Sequence, residues 1–175
     1  MISAGWGKLL FFDDGEYPTD NLRKRLEPTI PKLGTQWRVM YDFKPTATAH
    51  ASESCPSFAI NSWGSEHLVV IEVVCTSSSI LLWINIDRPG FEAGSVESSQ
   101  VPEVGKWTRI EISHEEKDGE YFLALSVGGQ EVERTEAHPD LKKLADVELE
   151  AGGVDGGLIA QPGFIRRLAV IGKLL

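Results

Sequence analysis

Apolar and polar residues alternate along most of this chain, most plainly over 35–43, where Trp37, Val39, Tyr41 and Phe43 fall on one side and Arg38, Met40 and Asp42 on the other. A period of two marks a strand with one buried face, because successive side chains leave a pleated backbone in opposite directions. The same alternation through 106–115 and 120–127 assigns Ile110, Ile112, Tyr121, Leu123, Leu125 and Val127 to a core, and Trp37 and Trp107 read as core or sheet-covering residues. Further strands are predicted over 8–13, 57–63, 67–75, 80–87, 95–101, 131–135, 146–151 and 163–173, parted by clusters of Gly, Pro, Ser and Asp. The segment through Pro18, Pro28 and Pro31 reads as a polar loop, and 139–144 is the one helical turn expected. Lys117-Asp118-Gly119 and Gly128-Gly129 are hairpin turns, since Asp-Gly and Gly-Gly tolerate the positive φ that tight hairpins require. About ten short strands at this spacing predict an all-β, antiparallel sandwich.

At 175 residues with 42% hydrophobic content, the chain has material for one sizeable core, so residues 1–175 are expected to form one domain. A net charge of -9 argues against a nucleic-acid partner, which needs clustered Lys and Arg. The basic run Arg23-Lys24-Arg25 is hemmed by Asp20 and Glu27 and reads as a solvated loop. No apolar run approaches the roughly 20 residues of a membrane span, so a soluble protein is expected. The opening Met1-Ile2-Ser3-Ala4-Gly5-Trp6 lacks a basic region followed by a long apolar core, so no signal peptide is read there, which leaves secretion open.

Cys55 and Cys75 are either a disulfide or two reduced core thiols; a hairpin turning at Gly64-Ser65-Glu66 would set them face to face. His50, His67, His114 and His138 show no metal-ligand spacing, so no metal site is predicted from the residues themselves. Neither cysteine has an activating neighbour and no Gly-x-Ser-x-Gly elbow occurs; His114 beside Glu115 and Glu116 reads as a solvent-facing turn.

Three stretches carry a resemblance. Trp107 opens an alternating strand, Tyr121 begins the next, which ends at Gly128-Gly129, and Gly163, Phe164, Ile165, Arg166 and Leu168 form a closing Gly-aromatic-Ile-Arg-x-Leu strand. With the early strand from Trp37 to Phe43, followed by Lys44 and Pro45, these resemble a laminin-G-like domain, a concanavalin A-type jelly-roll sandwich of two antiparallel sheets. The resemblance implies a closing strand beside the N-terminal one, and recognition of glycans, cell-surface proteins or matrix components outside the cell. It also implies calcium as a cofactor at the rim. This chain offers Ser62, Gly64, Ser65 and Glu66 there, where the pattern has an Asp, with Asp140 and Asp155 on the later rim. The about six to eight hard oxygens that calcium takes cannot be assembled from them.

Two sets of residues carry candidate chemistry. Asp146, Glu148 and Glu150 sit at i, i+2 and i+4 of one strand, similar to the acidic strand of laminarinase-family hydrolases, whose retaining chemistry needs two carboxyls roughly 5 to 5.5 Å apart. The order here is Asp-Glu-Glu rather than Glu-Asp-Glu, and Val147, Leu149 and Ala151 read as the core side of an ordinary half-buried strand. The second set is polar and aromatic: Trp83, Asn85 and Asp87 share the face opposite Leu82, Ile84 and Ile86, Asn61 and Trp63 lie on a neighbouring strand, and Arg109 and Glu111 follow Trp107. An aromatic plane takes the C–H face of a sugar while amides and carboxylates pair with its hydroxyls. The expectation is a non-catalytic extracellular module that binds a glycan or a cell-surface or matrix protein through Asn61, Trp63, Trp83, Asn85, Asp87, Arg109 and Glu111. The alternatives are a polysaccharide hydrolase using Asp146, Glu148 and Glu150, and an acidic structural or matrix protein that associates with itself.

Overall fold

The computed structural model describes residues 6–19, 24–49, 55–64, 66–90, 94–152 and 160–173. Among them, the alternating stretches pair into two antiparallel sheets of six strands each. Sheet A holds, in spatial order, β1 (Trp6–Pro18), β12 (Gly163–Lys173), β3 (Trp37–Pro45), β8 (Thr108–Lys117), β9 (Glu120–Val127) and β10 (Gln130–Glu136). Sheet B holds β2 (Lys24–Lys32), β11 (Ala145–Ala151), β4 (Cys55–Ser62), β5 (Val69–Cys75), β6 (Ile80–Ile86) and β7 (Gly94–Ser98). The chain passes from one sheet to the other between β1 and β2, β2 and β3, β3 and β4, β7 and β8, β10 and β11, and β11 and β12, which is the winding of a jelly-roll sandwich.

The inner faces meet in a core of the residues that the alternation selects. Trp37, Val39, Tyr41, Phe43, Ile110 and Ile112 come from sheet A, and Phe58, Ile60, Ile71, Ile80 and Leu82 from sheet B, all buried. Tyr41 and Phe58 join the two sheets, with ring centroids 4.5 Å apart. The 3₁₀ turn Pro139–Lys142 drops Leu141 into the core, and its carbonyl accepts the indole N–H of Trp37 at 3.3 Å. Closure falls to β12, which lies between β1 and β3. Gly163 begins it where the backbones nearly touch: a Cβ there would stand 2.5 Å from the Lys44 carbonyl oxygen.

Three expectations are corrected. Residues through Pro28 and Pro31 form β2 rather than a loop: at the edge of sheet B a proline need not complete a second ladder, and Leu26 and Ile30 are buried opposite Leu149 and Val147. His114 is no solvent-facing turn. It continues the inward set of Ile110 and Ile112, is buried, and stacks between Trp37 and Tyr121 at 5.6 and 5.3 Å. Strand β1 is also longer than expected, thirteen residues with bulges against β12.

Cys55 does face Cys75, both buried and in the thiol form. A bulge between Pro56 and Phe58 shifts the β4–β5 register by one residue and brings the pair opposite each other. No helix among the described residues is long and apolar enough to cross a membrane.

Candidate functional site

The outer face of sheet B brings together part of the expected ligand-binding set. On β6, Leu82, Ile84 and Ile86 turn inward, so Trp83 and Asn85 are exposed on the other side, Trp83 by 44%. Trp83 is flanked in register by Glu72 of β5 and Ser95 of β7. In the next cross-strand row Asn61 and Asn85 stand on either side of Val70, two strand spacings or roughly 10 Å apart. Asn61 is buried, and its side-chain carbonyl has no hydrogen-bond partner. Asp87 follows the end of β6, where its N–H is taken by the Leu68 carbonyl at 2.9 Å, and Trp63 follows the end of β4 with its ring exposed.

On β11, Val147, Leu149 and Ala151 are buried, which leaves Glu148 and Glu150 on this same outer face. Glu148 is engaged at 2.6 Å by Arg25 of β2. Asp146 stands apart from that regular pair, with a left-handed φ of 48° and its carboxylate against Gly64.

Arg109 and Glu111 are not with Trp83. Both project from the outer face of sheet A, because β8 turns Ile110 and Ile112 into the core from the other side of the sandwich. There Glu111 pairs with Arg38 at 3.5 Å. Arg109 belongs to a different cluster, which sequence reading missed. The carboxylate of Asp42 on β3 receives Arg109 at 3.2 Å, Arg166 at 3.5 Å and Arg167 at 3.7 Å. Arg166 also lies 3.9 Å from the centroid of Trp107, whose ring Lys44 approaches at 4.8 Å.

Two neighbouring arginines reach one carboxylate because β12 bulges: its register against β3 slips between Arg166 and Ala169, and Arg167 takes a φ of 53°. Beside them β1 bulges too, between Asp13 and Glu16, braced by Asp13, which accepts the Gly15 N–H and the Tyr17 O–H at 2.7 Å each. That bond to Asp13, with burial, raises the Tyr17 pKa. A cleft of about 580 Å³ opens here, lined by Phe12, Asp14, Asp42, Arg109, Arg167 and Ala169. The Arg166-Arg167 doublet in an acidic chain was the sequence signal for it.

No protein-family model and no curated protein sequence matches the chain. Solved structures do. A mouse laminin α1 fragment, domains LG4-5, is similar over 93% of this chain at a TM-score of 0.61 and 15% identity, and this chain spans 42% of its length. The fold is the laminin-G and concanavalin A-like sandwich. The module CBM40 of the Ruminococcus gnavus IT-sialidase, bound to α2,3 sialyllactose, matches 86% of this chain and 91% of its own at a TM-score of 0.56 and 12% identity. An endo-1,3-β-glucanase from Streptomyces sioyaensis matches 81% of this chain and 65% of its own at 0.51 and 13%.

The described rim residues do not assemble the calcium site that the resemblance implies. The Ser62 hydroxyl is turned into β11, donating to the Ala145 carbonyl at 2.8 Å and accepting the Ala145 N–H at 3.0 Å. Asp140 faces Arg88 at 3.8 Å and His138 at 3.7 Å. Ser65 and Asp155 lie outside the described residues, and among those described no group of three or more His, Cys, Asp or Glu is placed to hold a metal.

Proposed function

We propose that this protein is a non-catalytic recognition module that binds a glycan on the outer face of sheet B, with Trp83 as the stacking surface. The observation that carries the reading is the exposed Trp83 ring, flanked in register by Glu72 and Ser95 and followed by Asn85 on the same strand. Such a ring takes a sugar's C–H face, while the amide and carboxylate beside it pair with hydroxyls. Asn61 lies in the next row, across Val70 from Asn85, with a carbonyl still to satisfy. The similarity to a module bound to sialyllactose supports this reading, and with it an extracellular location.

Hydrolysis through Asp146, Glu148 and Glu150 is the second reading, favoured by the similarity to the glucanase. Against it stands the Glu148 carboxylate, taken up by Arg25 at 2.6 Å, where a hydrolase would aim it at a glycosidic bond. A glycan array run with and without calcium identifies the ligand. On the best hit, Trp83→Ala should weaken binding by about tenfold or more, as loss of a central aromatic anchor does. Binding unchanged by Trp83→Ala would sink the reading, and release of reducing sugar that Glu148→Gln abolishes would replace it with hydrolysis.

A further inference from the structure

We propose that the cleft on the outer face of sheet A, walled by Arg109 and Arg167 above Asp42, binds a saccharide residue carrying one carboxylate or sulfate group. This site lies on the opposite side of the sandwich from Trp83 and does not depend on that reading.

The arginines have donors to spare. A charge-assisted N–H···O bond is strongest at about 2.7–2.9 Å; Arg109 donates one longer bond to Asp42 at 3.2 Å, while Arg166 and Arg167 stand 3.5 and 3.7 Å from that carboxylate. Arg109 and Arg167 each present one Nη1 to that carboxylate, and the Arg167 side chain is 66% exposed. A guanidinium fork has five donors in a plane and takes carboxylate or sulfate oxygens in pairs.

The acids of the cleft define the rest of the ligand. Asp42 and Asp14 line it, and Glu16 faces Arg166 across the β1–β12 register, so local charge is nearly balanced. The site therefore offers directed donors rather than a broad positive field. A polyanion held by diffuse attraction does not suit it; one anionic group flanked by hydroxyls does. Asp14 and Asp42 accept from those hydroxyls, and Phe12, 60% exposed, gives the sugar's C–H face an aromatic wall beside Ala169. The depression, about 580 Å³, is shallow and open to solvent, which suits one sugar ring laid on its floor rather than an enclosed ligand.

The opposing explanation is a structural ion-pair hub. It predicts that removing Arg167 changes stability slightly and nothing else, since an exposed pair at 3.7 Å contributes little. Arg167→Gly separates the two, because glycine accepts the φ of 53° without strain and the fold keeps its bulge.

Titration calorimetry with methyl glucuronide and galactose 6-sulfate, against methyl glucoside and galactose, reads the result, and the two anionic probes tell carboxylate from sulfate. At least one anionic probe should bind about tenfold or more tighter than its neutral counterpart, and Arg167→Gly should erase most of that difference with the thermal midpoint unmoved. Arg109→Gln should weaken the same probe, and Trp83→Ala should leave it bound. Equal binding of acidic and neutral sugars, no binding of either, retention in Arg167→Gly, or loss in Trp83→Ala would each overturn the proposal.

Discussion

Acid should weaken this fold through His114. Its ring is buried between Trp37 and Tyr121, and Nδ1 donates to the Thr35 carbonyl at 2.7 Å, which leaves Nε2 buried without a partner. Burial pushes the His114 pKa down to about 4 from 6.5; the Thr35 carbonyl resists, and the Lys142 ammonium adds to the fall. Two aromatic faces would welcome a cation by roughly 1–2 kcal/mol, but they do not replace the lost hydration of a buried imidazolium.

The sign follows from which state holds the proton. Between pH 6.5 and about 4 the unfolded chain carries His114 charged while the folded one keeps it neutral, so stability present above 6.5 is lost as pH falls and the loss is complete below about 4. At about 1.4 kcal/mol per pH unit the gap is worth about 3 kcal/mol. Urea denaturation followed by tryptophan fluorescence measures it, with His114→Phe as reference. Phenylalanine keeps the stack and cannot titrate; losing the Thr35 bond costs about 1 kcal/mol at every pH, and carboxylate titration cancels in the difference. The wild type's stability relative to His114→Phe should therefore fall by about 3 kcal/mol from neutral pH to pH 4. Parallel stability curves, or an imidazole resonance in the wild type that titrates near its ordinary 6.5, would refute the reasoning.

Gly163→Ala should cost about 1–3 kcal/mol, because its Cβ would meet the Lys44 carbonyl oxygen at 2.5 Å and the Pro45 Cα at 3.0 Å, both backbone atoms with little room to move; an unchanged urea midpoint would show that the strands can part. Tyr41→Phe should change stability by no more than about 1 kcal/mol, since the buried hydroxyl makes no well-formed hydrogen bond and has only a weak interaction with the Ser57 side chain to lose; a larger loss would reveal a stronger partner. In the reduced, folded protein neither Cys55 nor Cys75 should react with a thiol reagent at mildly alkaline pH, because both are buried and burial, with the neighbouring Cys55, pushes Cys75 up to about 12. Both should react at once in urea, and rapid labelling of the folded protein would contradict the burial.

Alternation carried the architecture because it reports one thing well: which side of a strand is dry. Trp37 to Phe43, Ile110 to Ile112 and Leu123 to Val127 are buried as their spacing requires. It would have placed His114 too, two residues beyond Ile112 on the same side, had the charged Glu115 and Glu116 not read as the start of a turn. Strand β2 escaped because two inward residues, Leu26 and Ile30, are too few for a period, and prolines, which argue against a central strand, are tolerated at an edge.

A sandwich, however, has two wet sides, and a period of two cannot say which of them a residue meets. Arg109 and Trp83 both point outward, yet they belong to different sheets, because membership is decided by pairing between strands far apart in sequence. Grouping them by chemistry alone therefore joined opposite faces of the molecule. The Asp42 cluster lay still further from view: it depends on β12 breaking its own alternation at Arg167, and a bulge appears in the register only when the partner strand is known. The residues that regular periodicity explains best are those with least left over for a ligand. A register break that turns Arg166 and Arg167 toward one carboxylate gives the outer face of sheet A a shape its strands would not otherwise have, and Arg167→Gly tests the proposed saccharide site because glycine keeps the φ of 53° on which that break depends.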